Sequence, residues 1–373
     1  MKKLRKIEHY GLASHNERFD TEDKCRDYIT QKKWEGGVPV CSKCGNQFMN
    51  YYITSRQIWK CSKCKKQFSL LHNTIFQGTK LPLTLWFKAI HLYITKKRGF
   101  SSYQLAEWLE IEQRSAWYLQ HRLREVINNE NDISLSGIVE CDETHIGPLI
   151  PKNTRLQRAR IKHNKEQERI HGIHVKKKRN LRGEPATRGR KKGDTKEVRE
   201  QRKLEKELKG ERIPFEQDII ILGMVERDGR IVLKKLGKSE KSRTIETVHP
   251  HLKKHITRDS IFITDQWIGY RSIGNYFKQH SYVNHDETFV NGMVYTNTVE
   301  NVWNHFKRVI LGTYFHMSYH HFEKYLHEFS FRWNRRKENG LAKFESFMEN
   351  FVGKRLKYQD LISQNVEPLK FAA

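Results

Sequence analysis

No run of about 18 apolar residues occurs anywhere in the sequence, so no helix that spans a bilayer is expected. The amino end, Met1-Lys2-Lys3-Leu4-Arg5-Lys6, is basic but lacks the apolar stretch of a secretory signal. Cysteine is sparse: four of the six stand as two close pairs, while Cys25 and Cys141 stand alone. Secreted disulfide scaffolds are smaller and denser in cysteine, so metal binding is the better reading of the pairs. Acidic residues are few beside basic ones, 43 Asp and Glu against 70 Lys and Arg, a formal net charge of +27. These deficits together describe a soluble intracellular chain without membrane contact.

What is present in excess is positive charge. A surplus that large repels itself in a compact state unless a polyanion shares it, and counterion release from nucleic acid would supply affinity. The excess is densest over residues 152–212, with 23 Lys and Arg against 9 Asp and Glu. Lys176-Lys177-Lys178-Arg179 and Arg188-Gly189-Arg190-Lys191-Lys192 are its peaks. Such a segment buries too little apolar surface to order itself and reads as an insertion clamping nucleic-acid backbone, or as a plain solvated loop.

Cys41-x2-Cys44 and Cys61-x2-Cys64, sixteen residues apart, have the spacing of a two-knuckle zinc ribbon within residues 37–72. Four thiolates make a closed tetrahedral cage, hence a structural zinc site. Tyr51-Tyr52-Ile53 and Gln57-Ile58-Trp59-Lys60 read as its strands, and residues 1–36 as a helical lead-in with apolar points at Tyr28, Ile29 and Trp34.

Residues 80–130 carry helical periodicity. Leu85, Trp86, Ala89, Ile90, Tyr93 and Ile94 mark one helix. A short one is entered from Ser101-Ser102, and a third runs through Ala116, Leu119, Leu123 and Val126. Short helices joined by a tight turn suggest a helix-turn-helix DNA-binding domain, its last helix offering Gln113, Arg114, Gln120, Arg122 and Arg124 to DNA. An ordinary helical bundle would show the same periodicity.

From Ser136 the period becomes that of strands. Residues 136–142, 218–225 and 230–233 alternate or run apolar, with Asp228-Gly229 as a hairpin turn. A helix over Thr244–Ile256 leads to a strand ending at Asp265. This is a mixed α/β domain over 136–345, followed by a tail over 346–373. Asp142 is expected to end the first strand and Asp265 a later one. On the helix over 298–310 the apolar stripe is Val299, Val302, Trp303, Phe306 and Ile310, while Glu300 and Lys307 lie two turns apart on one face. Three carboxylates from distant segments can hold two Mg²⁺ or Mn²⁺ ions for phosphodiester chemistry. Singly, each acid could as well cap a loop or face water. His285, His305, His316, His320 and His321 are irregularly spaced and read as surface or DNA-contacting imidazoles.

The runs Val139-Glu140-Cys141-Asp142-Glu143-Thr144-His145-Ile146-Gly147, Thr264-Asp265-Gln266-Trp267-Ile268-Gly269-Tyr270 and Tyr295-Thr296-Asn297-Thr298-Val299-Glu300-Asn301-Val302-Trp303, with Phe306-Lys307-Arg308, resemble the DDE transposases of zinc-ribbon-bearing insertion sequences related to eukaryotic Merlin elements. Glu328, Arg332 and Arg335 fit a late helix of that family, and an ordinary i, i+4 salt bridge fits them equally. The resemblance implies a ribonuclease-H-like catalytic domain and a site of Asp142, Asp265 and Glu300, with Asn297 as an alternative or additional ligand and Lys307 on a DNA phosphate. It further implies Mg²⁺- or Mn²⁺-dependent cleavage and strand transfer on double-stranded DNA, both terminal inverted repeats and target. Arg114, Arg122, Arg124, Lys307, Arg308, Arg332 and Arg335 would be DNA contacts. A homodimer or higher synaptic assembly and a cytoplasmic, nucleoid-associated location follow. Two rivals share parts of the pattern: a non-catalytic ribbon and helix-turn-helix DNA binder, which predicts loss of an acid, and a metal-dependent nuclease or resolvase, which would cut without joining.

Overall fold

A computed structural model describes residues 10–128, 130–146, 219–237, 243–283, 295–314 and 317–363. The basic insertion over 152–212 lies outside them. The chain divides into two compact units, residues 1–144 with 220–373, and residues 145–219. Of the second, only His145, Ile146 and Ile219 are described.

The N-terminal helices form where caps and apolar stripes coincide. Helices α1 (Leu12–Arg18) and α2 (Glu22–Lys33) open the chain, and Thr21 caps α2 by accepting from the Lys24 N–H. After α3 (Leu83–Thr95), Ser101 starts α4 (Ser102–Leu109) with a full capping box closed by Gln104. Helix α4 ends at Glu110, whose φ of 53° turns the chain at once into α5 (Gln113–Val126). Between α2 and α3 stands a three-stranded antiparallel sheet, β1 (Tyr51–Ile53), β2 (Ile58–Lys60) and β3 (Gln67–Ser69).

One apolar core joins the lead-in, the small sheet and α3–α5, including Phe19, Ile29, Trp34, Phe68, Phe87 and Leu119. It also takes in Phe344, Phe347, Met348 and Phe351, so α10 (Gly340–Met348) and the start of the expected tail pack onto the N-terminal helices.

The larger sheet has the order β6-β5-β4-β7-β8, built from β4 (Ile138–Ile146), β5 (Ile219–Glu226), β6 (Ile231–Gly237), β7 (Ile261–Thr264) and β8 (Gln279–Tyr282). Strands β5 and β6 form the expected antiparallel hairpin, turning at Asp228 with a φ of 57°. Strands β4, β7 and β8 run parallel. Helix α6 (Ile245–His255) adds Val248 and Leu252 to the core formed with Val139, Cys141 and Phe262. After β7 comes the short α7 (Ile268–Arg271). Helix α8 (Asn297–Thr313) brings Trp303 against Gly223 of β5, where a Cβ would stand 2.5 Å from the indole; glycine is what lets helix and sheet approach. Helix α9 (Phe322–Asn334) packs on β6 and α5, and α11 (Tyr358–Ser363) is last of the described helices.

Candidate catalytic site and zinc centre

The four ribbon cysteines converge. Cys41 and Cys64 sulfurs are 3.5 Å apart and those of Cys44 and Cys61 3.6 Å, all four lying within 4.8 Å of one another. Tetrahedral zinc with Zn–S bonds near 2.3 Å needs sulfurs about 3.8 Å apart, so the donor set fits a structural zinc ion. Hydrogen bonds of Cys41 N–H to Asn46 O at 3.0 Å and Cys61 N–H to Lys66 O at 2.9 Å fold the knuckles in the same way.

The acidic site arises from register. Parallel pairing of β4 and β7 ends with Glu140 opposite Ile263; two residues further on each strand stand Asp142 and Asp265. Neighbouring strands lie about 4.8 Å apart, so this register alone juxtaposes the two aspartates. Asp142 does not end its strand as expected; β4 continues to Ile146. Their carboxylates and that of Glu143 lie within 4.8 Å of one another. Glu300 is not in this group. It is exposed in the first turn of α8, and Asn297, also exposed, begins that helix.

What holds α8 is Glu140, which the sequence reading passed over. Fully buried, it accepts from the Thr298 and Val299 N–H groups at 2.8 and 3.1 Å and from the Thr298 hydroxyl at 2.8 Å. Arg227 donates to the same carboxylate at 2.7 Å. A carboxylate at a helix N-terminus satisfies orphan N–H groups and the helix dipole together. One turn after Glu300, Trp303 Nε1 donates to Asp142 Oδ2 at 3.1 Å. The period-2 placement of Glu140 and Asp142 on a buried strand was the signal available.

The electrostatics are those of carboxylates short of positive charge. Burial, then the Asp265 charge, raises Asp142 to about 6. Burial raises Glu143 to about 7, against the pull of Arg243 and the Tyr270 hydroxyl. Arg243 spans Glu143 at 2.8 Å and Asp265 at 3.1 Å, with its guanidinium 4.4 Å from the Trp267 ring centroid. Tyr270 donates to Glu143 at 2.7 Å, and Trp267 N–H to Asp265 Oδ1 at 3.0 Å. Among the described residues one arginine pairs with this group of three acids, and an all-oxygen donor set fits a hard cation such as Mg²⁺ or Mn²⁺.

Four arginines expected to face DNA turn inward. Arg124 is fully buried, its Nε 2.6 Å from Glu328, and Arg332 closes on the same glutamate. Tyr314 donates to Glu328 as well. Arg122 is buried, donating to Gln77 O at 2.7 Å, and Arg335 binds Glu130 at 2.6 Å with its side chain 22% exposed. Helical period showed a charged face but not that α9 and the 70–80 segment cover it. Arg114, which donates to the Tyr358 hydroxyl at 2.9 Å, stays near the surface, and Lys307 and Arg308 are exposed. Among the histidines, His305 is exposed and His320 half-buried, whereas His321 is buried 4.7 Å from the ring of His121, contrary to the surface reading. His285 and His316 lie outside the described residues.

Two family models match parts of the chain. Residues 20–67 match the transposase zinc-ribbon domain and residues 187–334 the ISXO2-like transposase domain. Asp265 and Glu300 fall inside the second match and Asp142 precedes it. A protein of Halobacterium salinarum described as an uncharacterized protein in transposable element ISH50 is 24% identical over 144 residues, 38% of this chain. The chain spans about half of that relative's length, 48%. No solved structure matches. Among the described residues no helix is long and apolar enough to cross a membrane.

Proposed function

We propose that this chain, which carries the zinc-ribbon and transposase domains of ISXO2-like insertion-sequence elements, is a DNA transposase that cuts and rejoins element ends with divalent metal ions. The observation that carries the reading is the meeting of Asp142, within β4, and Asp265, just past the end of the parallel strand β7 paired with it, with Glu143 beside them and, among the described residues, Arg243 as the guanidinium paired with the group. The sheet order β6-β5-β4-β7-β8, with helices on both faces, supports a ribonuclease-H-like domain, and the tight α4–α5 turn supports a helix-turn-helix.

In this reading Asp142 and Asp265 are the paired ligands and Glu300, on the solvent flank of the helix docked by Glu140, is the third; Asn297, exposed at the start of the same helix, is the alternative or additional ligand. Bound Mg²⁺ or Mn²⁺ would supply an activated nucleophile and a stabilised leaving oxygen. Trp303 holds Asp142 in one orientation, Trp267 N–H and Arg243 hold Asp265, and Tyr270 keeps Glu143 as a positioning residue. Lys307 and Arg308 face the solvent two turns beyond Glu300, where a DNA phosphate would lie. The ribbon grips the inverted repeat, and joining two ends calls for a homodimer or larger assembly.

The test uses DNA carrying the inverted repeats that flank the coding region. Asp265→Asn should abolish Mg²⁺-dependent cleavage while DNA affinity is kept, and undiminished cutting would remove the assignment. Strand transfer from pre-cleaved ends separates a transposase from a nuclease that only cuts. Glu300→Gln should abolish both steps and Glu143→Gln only slow them; the reverse order would make Glu143 the third ligand.

A further inference from the structure

The first zinc knuckle carries a feature that neither metal binding nor the core explains. Phe48 and Met49 are 79% and 77% exposed, the most exposed of the large apolar side chains among the described residues. The backbone beneath them is held firmly. The Phe48 carbonyl accepts from Asn46 Nδ2 at 2.7 Å and from Ser62 Oγ at 2.9 Å. Asn50 Nδ2 donates to Pro39 O at 2.6 Å and Asn46 O at 3.1 Å. Met49 has a φ of 49°, a left-handed conformation that costs a non-glycine residue and persists where the surroundings enforce it. A floppy loop would let two such side chains fold back onto apolar surface; this one presents them outward.

The charge around them selects the partner. Between residues 38 and 70 there are six Lys and Arg and no Asp or Glu. Lys60 pairs directly across from Tyr51, itself 58% exposed, two residues from Met49. An apolar protein surface gives no reason for a module devoid of acids, whereas a duplex does: lysines sit on phosphates while apolar side chains enter between bases.

We propose that Phe48 and Met49 form a wedge that inserts at a base step of duplex DNA and kinks it, with the zinc-braced knuckle as its rigid mount. Side chains of this kind kink DNA by roughly 20–90° in proteins that use them. The proposal rests on the reading of the ribbon as a DNA-gripping module and adds a mechanical act to it.

The test is ring closure of a linear duplex of about 120 base pairs by DNA ligase, since DNA below its persistence length of roughly 150 base pairs closes rarely unless bent. The full-length zinc-loaded chain should raise closure at least about tenfold at saturating binding. Phe48→Ser with Met49→Ser should lose that gain while keeping its zinc and, within about threefold, its affinity. Phe48→Leu with Met49→Leu, still apolar, should keep most of the gain, which separates a wedge from a loss of folding. If the wild-type chain binds the duplex without promoting closure, or the serine variant promotes it equally, the wedge is overturned and the DNA-gripping reading stands. If the wild-type chain does not bind the duplex, both fall.

Discussion

Two carboxylate clusters in this molecule answer burial in opposite ways. Around Glu328, Arg124 and Arg332 supply two positive charges and Tyr314 a hydroxyl, and these hold the carboxyl down at about 2 against full burial. Around Asp142, three carboxylates share Arg243, and two of them rise to about 6 and 7. In the first cluster two guanidinium groups surround one carboxylate. In the second, Arg243 pairs with two of the three acids, an arrangement that on the proposed reading is completed by a cation.

The largest expected effect tests that difference directly. Asp142→Asn should lower Mg²⁺-dependent cleavage by at least about a thousandfold, roughly 4 kcal/mol of barrier, while denaturant unfolding shows stability unchanged or raised. A loss of stability would mean that Asp142 is structural. Glu328→Gln should do the converse, costing about 3–5 kcal/mol in the same unfolding assay because it strands two buried guanidinium groups. A cost below about 1 kcal/mol would show the pair to be no better than a surface one.

Magnesium should stabilise the wild-type chain by about 2.7 kcal/mol at a hundredfold excess over its dissociation constant. Asp142→Asn and Asp265→Asn should show none of it, read as the shift of the melting temperature with Mg²⁺. Equal shifts would place the ion elsewhere.

The smallest effect is in pH. Burial holds His15 down at about 3 and His91 and His321 at about 4, each well below the ordinary 6.5. A depressed folded value means stability that is whole above pH 6.5 and lost as pH falls from there toward about 4. Glu328 obeys the same sign in a lower window, losing its contribution only from about 4.5 toward about 2. In the double variant Asp142→Asn with Glu143→Gln, which removes the two raised carboxylates whose protonation near pH 6 and 7 acts in the opposite direction, unfolding midpoints should therefore begin to fall between pH 6.5 and 5. A flat profile over that range would show the imidazoles to be solvated.

Much of this was legible in local pattern. The cysteine spacing marked a metal cage, Ser101 with Gln104 marked a helix start, and Asp228-Gly229 marked a hairpin, because each depends on neighbours within a few residues. The aspartates at 142 and 265 could be suspected from their places at or near the ends of apolar runs. Glu140 and Glu143 could not be ranked above other acids, since their roles depend on which helix and which tyrosine arrive from elsewhere in the chain.

By itself the sequence determined the zinc ribbon, the basic character and the alternation of helices and strands, all set by short-range spacing and composition. Only the tertiary structure decided which charges face inward. Arg122 and Arg124 share a helical period with solvent-facing residues, and nothing local distinguishes them from those. Whether a charged face is solvated depends on what packs over it, and the segments that cover these residues come from distant parts of the chain.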